Sequence, residues 1–278
     1  MTTIIQRKIF IIGSNARLAK SLINYYKSYK LILPSRDIYE NWSDISSIDE
    51  ISNYFQSKVT SGSIIFITSG ILNSSQNEEI IEAINYQLPK NIILALKSTA
   101  VQIVTFGTIL EKIRLTDNKY VKSKIKLSDY IKTSQKNVTP NLVHLRLHTL
   151  YGYDLPSPFM FLGQIFDSIK NKTDFYMSSG TQIREYHHLD DVAKAVDILL
   201  NVNTQGVSEI TSGKGIQLKD LALTIYKEFN IEHLINIGVM DIKYKDKFSN
   251  DYQINTNLDS ENFREPKQGV INYLKTIL

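Results

Sequence analysis

The chain has 278 residues, 42% of them hydrophobic and 22% charged, so it can bury an ordinary globular core, and disorder is excluded. It has no cysteine, which removes disulfides, thiolate zinc sites and thiol nucleophiles together. A net charge of +4, from 32 basic and 28 acidic residues, is too balanced to argue nucleic-acid binding. At roughly 100–200 residues per domain, the length suggests one large domain or one domain with a lobe. Glycine is scarce at 12 residues, so each glycine is expected where the backbone needs it.

Lys8–Ile12 is short, β-branched and apolar and ends at Gly13, as a buried strand does. Leu18–Tyr29 has a helical apolar pattern, and Leu31–Leu33 is a second strand stopped by Pro34. Ile48–Phe55 reads as a helix and Ser63–Thr68 as a strand. A long helical stretch runs from Asn77 to about Lys97, with a kink or break expected at Pro89. Val101–Thr105 and Leu142–Leu147 are strands, with a helix over Tyr120–Lys132 between them. Strands alternating with helices predict a parallel sheet covered on both faces. Further on, helices are expected near 159–170, 190–201, 218–229 and 270–278, and a strand over 207–211. No run approaches the ~18 apolar residues of a membrane span. Met1–Lys8 lacks the pattern of a signal peptide. The expectation is a soluble, cytoplasmic protein with no membrane or nucleic-acid partner.

Gly13-Ser14-Asn15-Ala16-Arg17-Leu18-Ala19 has the GxxGxxG spacing of a dinucleotide-binding turn, with alanine at its second and third positions. An ordinary tight strand–helix turn would also account for it. Ser35-Arg36 follow the second strand, where an arginine suits the 2′-phosphate of NADP. Asp37 beside them keeps NAD or NADH open, and plain surface charge is the lesser reading of Arg36. Tyr120 and Lys124 stand four apart on one helical face. A lysine ammonium there would lower the pKa of the phenol and hold a ribose hydroxyl. The tyrosine could then give a proton to a ketone oxygen.

These segments resemble the extended short-chain dehydrogenase/reductases, the group that modifies nucleotide sugars. Gly13–Ala19 looks like its cofactor loop, and Asp44-Ile45 falls where the family meets the adenine. Thr68-Ser69-Gly70 resembles its cofactor-contacting strand end, Asn85 the asparagine of its next helix, and Tyr120–Lys124 its YxxxK. Arg146–Gly152 resembles its R-x-x-N-x-Y-G segment, with Thr149 in place of the asparagine. Gly180–Ala193 is similar to its G-x-Q-x-R-D-[FY]-x-x-V-D-D-[VL]-A stretch. Ile210–Gly213 and Pro266–Leu274 resemble its later strand turn and terminal helix.

The resemblance implies an α/β fold: a Rossmann-like parallel sheet of about seven strands, helices on both faces, and a small C-terminal substrate-binding lobe. The core would be residues 1–147, receiving about 189–212, and the lobe 148–188 with 213–278, folded over a substrate beyond the strand ends. Tyr120, Lys124 and Thr105 would be catalytic, with Thr108 a nearby alternative and Phe106 on one alignment of the hydroxyl. Gly13, Asn15, Ala16, Arg17, Leu18, Ser35, Arg36, Asp44, Ile45, Thr68, Ser69, Gly70 and Asn85 would bind cofactor with Tyr120 and Lys124. Thr105, Gly107, Thr149, Gln182 and Arg184 would bind substrate, Arg184 as a fork on a diphosphate.

The implied reaction is NADPH-dependent reduction of the C4 ketone of a CDP- or dTDP-linked 4-keto-6-deoxyhexose, in making O-antigen or another surface polysaccharide. An NAD-retaining nucleotide-sugar 4-epimerase and a non-catalytic NADP-binding protein are the alternatives. Phe106-Gly107 stand where a dehydratase would carry an Asp-Glu pair. A homodimer is left open. His144, His148, His187 and His188 lack carboxylates at ligand spacing, so no metal is expected, and Asp190 reads as a helix N-cap.

Overall fold

The computed structural model describes residues 7–113, 117–134, 140–241, 254–259 and 262–278. Residues 242–253 and 260–261 of the expected lobe lie outside the described residues. The chain divides into two compact units, 1–147 with 200–209 and 148–199 with 210–278. Against the expected boundary, 189–199 and 210–212 join the second unit. Their bonds explain this: the Arg264 amide donates to Asp191, the Asn255 amide to Thr211, and the Ser212 amide to Glu185.

In the first unit the elements run β1 (Lys8–Ile12), α1 (Arg17–Tyr25), β2 (Lys30–Ile32), α2 (Arg36–Tyr39), α3 (Ile48–Gln56) and β3 (Ile64–Ile67). Then come α4 (Glu78–Glu82), α5 (Leu88–Ala95), β4 (Gln102–Thr108), α6 (Lys119–Ser134) and β5 (Asn141–Leu147). The sheet has six strands, closed on one edge by the later strand Gly206–Glu209, which pairs with β5. All its pairings are parallel, and β1 sits between β2 and β3. At that point the strand order reverses, leaving a crevice beyond the carboxyl ends of β1 and β3.

Among the described residues the sheet has one strand fewer than the roughly seven expected. The stretch between β2 and β3 packs as a helical layer, as its Ile48–Phe55 pattern predicts. Trp42, Ile51 and Phe55 are fully buried, with Phe55 edge-on to Phe10 at 5.3 Å and Trp42 5.7 Å from Phe55. β1, β3 and β4 are buried almost throughout, which is why they read as continuous apolar runs.

The helical stretch from Glu78 to Ala95 does not break at Pro89. A π turn at Ala83–Gln87 precedes α5, and the Leu88 amide reaches back to the Ala83 carbonyl. Proline has no amide for the carbonyl four residues earlier, that of Asn85, and the wider turn absorbs the mismatch. This places Asn85 inside the turn, fully buried.

The second unit holds β6 (Thr149–Tyr151), α7 (Phe161–Asn171), β7 (Phe175–Met177), β8 (Ile183–Arg184), β9 (Tyr186–His188) and most of α8 (Leu189–Asn201). With the sheet strand β10 (Gly206–Glu209) between, it continues with β11 (Ile216–Gln217), α9 (Leu218–Glu228), β12 (Ile235–Ile237) and α10 (Pro266–Ile277). Its strands pair two by two: β6 with β9, β7 with β12, and β8 with β11. Tyr151, Ile165, Leu221, Ile225, Tyr226, Val270 and Leu274 form its core. α8 begins at Leu189, so Asp190 lies in its first turn rather than at the N-cap. Its carboxylate instead accepts from the Tyr153 hydroxyl at 2.7 Å and pairs with Arg264. Among the described residues no helix is long and apolar enough to cross a membrane, and no cluster of His, Cys, Asp and Glu could hold a metal.

Candidate active site

The turn after β1 is built around Gly13. Its φ is +92°, and a Cβ there would lie 2.5 Å from Ser69 Oγ and 2.6 Å from Ser69 N. The Thr68 hydroxyl donates to the carbonyls of Ile12 and Gly13, at 2.8 and 3.0 Å, and the amides of Thr68 and Ser69 donate to Ile12. The ends of β1 and β3 are thus held together. Ala16 precedes α1 with φ −65° and ψ 146°, ordinary for an L-residue, so the missing second glycine costs the backbone nothing there. No side chain caps this helix, and its first amides face the turn.

A cleft of about 640 Å³ opens here. Gly13, Asn15, Ala16, Ser35, Arg36, Thr68, Ser69 and Gly70 line it together, with Tyr39, Glu40, Ile71 and Leu88. Arg36 is exposed at its β2 end and makes no ion pair with another described residue. Ser69 Oγ is buried without a hydrogen-bond partner. Arg17, Leu18, Asp44 and Ile45 are not among the lining residues. Leu18 turns into the core; Asp44 accepts from the amide and hydroxyl of Ser46, which hold its carboxyl below the usual range; Ile45 is 61% exposed.

Asn85 ties the cleft floor to α6. It accepts from the Ile71 amide at 2.8 Å and donates to the Ile71 carbonyl and the Ser123 hydroxyl, each at 3.0 Å. Ser123 in turn donates to the Tyr120 carbonyl at 2.7 Å. A Cβ on Gly70 would lie 3.4 Å from Asn85 Oδ1 and 3.7 Å from Lys124 Nζ, so these three residues converge. Lys124 is buried and donates to the Phe106 carbonyl at 2.9 Å. Burial pushes its ammonium down to about 8, against the opposing pull of the Glu111 charge. The Tyr120 phenol is raised above its ordinary value, by burial first and by Glu111 second. That direction is the reverse of the lowering expected from a lysine neighbour, because Lys124 is itself desolvated and an anion lies close by.

The hydroxyls of β4 are committed elsewhere. Thr105 is buried, and its Oγ1 lies 2.7 Å from His144 Nδ1. His144 Nε2 lies 3.2 Å from Glu111 Oε1, and Arg146 Nε donates to Glu111 Oε2 at 2.9 Å. A carboxylate only accepts, so Nε2 carries the proton on that side of the ring. Thr108 caps the turn Ile109–Glu111 in a reciprocal capping box with Glu111. Gly107 leaves room for this cluster: a Cβ would lie 2.0 Å from Glu111 Oε1. Phe106 faces away from it, stacked on Phe66 at 6.3 Å. The Glu111–His144–Arg146 cluster went unread in the sequence, although Thr108-x-x-Glu111 is a capping-box signature.

Thr149, Gln182 and Arg184 belong to the second unit. The Thr149 amide donates to the Glu185 carbonyl, Gln182 Oε1 is buried without a partner, and Arg184 NH1 donates to the Ile183 carbonyl. Between Arg184 and Tyr186, Glu185 is fully buried and clamps the 212–213 turn. It accepts from the amides of Ser212 and Gly213, at 2.7 and 2.9 Å, and from His187 at 2.8 Å.

A reversing parallel sheet, a glycine turn against an uncapped helix and a helix carrying Tyr120 and the buried Lys124 define an NAD(P)-dependent oxidoreductase of the extended short-chain dehydrogenase/reductase type. The chain belongs to the NAD dependent epimerase/dehydratase family, whose model matches residues 9–211. None of the curated proteins matches the sequence. Among solved structures, the chain is similar to a dTDP-4-dehydrorhamnose reductase from Bacillus anthracis in complex with NADP, with 15% identity, 98% of this chain and 100% of that chain covered and a TM-score of 0.75. The corresponding reductase from Clostridium acetobutylicum has 16% identity, 97% and 99% coverage and a TM-score of 0.73. A UDP-N-acetylglucosamine 4-epimerase from Methanobrevibacter ruminantium has 13% identity, 98% and 99% coverage and a TM-score of 0.72. At these identities the likeness is one of fold.

Proposed function

We propose that the protein reduces the C4 ketone of a nucleotide-linked 4-keto-6-deoxy sugar with NADPH, in the manner of CDP-abequose synthase, for surface polysaccharide such as O-antigen. The observation that carries this reading is Tyr120, a phenol kept protonated, one helical turn from Lys124, where Gly70 brings the cofactor cleft to the lysine. The cleft suits a dinucleotide: Gly13 makes a cradle that a Cβ would fill, and Ser69 Oγ is buried and unpartnered. Gly13, Ala16 and the first amides of α1 would hold the pyrophosphate, Ser35 and Arg36 the 2′-phosphate, and Lys124 the ribose. NADPH supplies a hydride when bound. Tyr120 donates the proton that the ketone oxygen takes up as its carbon is reduced, and Lys124 stabilises the tyrosinate left behind. Gln182 and Arg184 would take the sugar nucleotide, Arg184 as a fork on its diphosphate. Two of the structurally similar proteins are dTDP-4-dehydrorhamnose reductases, one of them solved with NADP.

The test is NADPH consumption by the purified protein over a panel of CDP-, dTDP-, GDP- and UDP-linked 4-keto-6-deoxy sugars. Turnover with one member, reduced by about 100-fold or more in Tyr120→Phe, is expected. Unchanged turnover in that variant would remove Tyr120 from the chemistry, and tightly retained NAD with interconversion of C4 epimers would favour the epimerase. One observation favours a second reading, a non-catalytic NADP-binding protein: both β4 threonines are already bonded and Phe106 stands between them. NADPH binding with no turnover of any panel member would select it.

A further inference from the structure

The buried carboxylate of Glu111 has no part in the proton transfer above, yet it is bonded to the exit of β4, whose Phe106 carbonyl is the acceptor for Lys124. It is 3% exposed and accepts from the Thr108 amide at 2.8 Å, from Arg146 Nε at 2.9 Å and from His144 Nε2 at 3.2 Å. The Thr108 amide and the closely packed Gly107 fix the exit of β4, and the Phe106 carbonyl just before them is the acceptor for Lys124. The cluster also grips α6 from behind, since Arg146 NH2 donates to Ser128, four residues beyond Lys124, at 3.2 Å.

We infer that Glu111 is a positioning residue for the Tyr120–Lys124 pair: it holds the Phe106 carbonyl where Lys124 donates, and it is the buried anion that keeps the Lys124 ammonium charged. A protonated lysine with one carbonyl acceptor and little water is poorly stabilised, and a fixed anion nearby offsets that. The groups around Glu111 are His144 and Arg146 from β5, Glu209 from β10, Lys112 from its own turn, and Tyr120, Lys124, Ser128, Asp129 and Lys132 from α6. Glu209 pairs with Arg146 and Lys112, at 3.4 and 3.1 Å, and Asp129 pairs with Lys132 at 3.3 Å. Glu111 itself is held down to about 2: burial raises it, but His144, the Thr108 amide and Arg146 together outweigh burial. It therefore stays charged across the whole range in which Lys124 titrates. The inference rests on the reading of Tyr120 and Lys124 as the reacting pair, but its test needs no substrate.

The experiment follows the lysine side-chain resonances of the cofactor-free protein against pH, with Lys124 assigned by their loss in Lys124→Arg. The native Lys124 midpoint is expected near 8. In Glu111→Gln, which keeps the size and an acceptor for the Thr108 amide, it falls by about one pH unit or more. In Glu111→Asp, which keeps the charge, it stays closer to native. A purely structural role would lower the melting temperature and leave the midpoint in place. An unmoved midpoint in a folded Glu111→Gln protein overturns the inference. Should Glu111→Gln not fold, Arg146→Gln carries the test: releasing Glu111 from its guanidinium partner must raise the midpoint, and an unmoved one overturns the inference. Absence of turnover with every sugar nucleotide would sink the proposed reaction and leave these titrations intact.

Discussion

Gly13→Ala tests the cofactor turn most directly. At φ +92° an L-residue is strained, at about 1–2 kcal/mol for the left-handed side of the backbone. The added methyl would also sit 2.5 Å from Ser69 Oγ and 2.6 Å from Ser69 N. The second contact is with backbone. Ser69 N is bonded to the Ile12 carbonyl at 3.0 Å, so it cannot retreat without losing that bond. Overpacking of this kind adds about 1–3 kcal/mol, giving about 2–5 kcal/mol in total. Gly62→Ala is the matched control: its φ is +79°, and nothing lies within 4 Å of its added Cβ, so only the backbone part, about 1–2 kcal/mol, applies. Urea unfolding of the two variants, with NADPH affinity measured on each, separates the terms. Gly13→Ala should lose more stability and also lose cofactor binding, whereas Gly62→Ala keeps its binding. Equal costs, or native NADPH affinity in Gly13→Ala, would refute the close approach of the two strand ends.

Arg36→Ala should weaken NADPH by about tenfold or more and leave NADH nearly unchanged, measured by fluorescence titration, since a charged hydrogen bond contributes about 1.5–3 kcal/mol. Asn85→Ala leaves the Ile71 amide and carbonyl without their side-chain partner, and the unfolding free energy should drop by about 1–3 kcal/mol. Glu185 is held down to about 2 although burial raises it, because the His187 hydrogen bond, His148 and the Ser212 amide outweigh burial. A lowered carboxyl pKa stabilises the fold above the unfolded value near 4.5, and that stability is lost as pH falls towards 2. Glu185→Gln should therefore differ most from native in melting temperature at neutral pH, with the difference shrinking as acid is added.

Most of the first unit was legible because its strands are buried on both faces. Runs such as Ile9–Ile12 and Ile64–Ile67 admit few other readings, and Gly13 and Pro34 mark where they stop. Tyr120, Lys124 and the Gly13 turn followed from spacing on elements so placed. The seventh strand came only from the family resemblance: the runs read as strands from their apolar pattern are the six that pair, and Ile48–Phe55, read as a helix, is one. The fate of Thr105 was not legible. Strand alternation gives its face, but its partner His144 is set opposite it only by the β4–β5 register. Pro89 was read as a kink or break; which of the two was not legible, because a single sequence does not reveal that a π turn can absorb the missing amide.

The committed hydroxyls bear on which reaction the site can run. Along β4, Thr105 and Gly107 face the Glu111–His144 cluster, and Thr108 spends its oxygen on a cap. Among the described residues of the first unit, the proton chemistry proposed here then falls to Tyr120. An epimerase asks its tyrosine to take a proton and later return one, so the phenol must ionise readily. A reductase asks only that a proton be given. A phenol raised by burial and by the Glu111 charge rests protonated, the state from which the proposed reduction starts. Removing that charge should therefore do more than weaken the site. If the proposed reduction occurs, Glu111→Gln should shift its pH profile towards acid, because Lys124 would lose its proton earlier. A profile that falls in amplitude without moving would mean that Glu111 serves the fold of the β4 exit and not the proton held there.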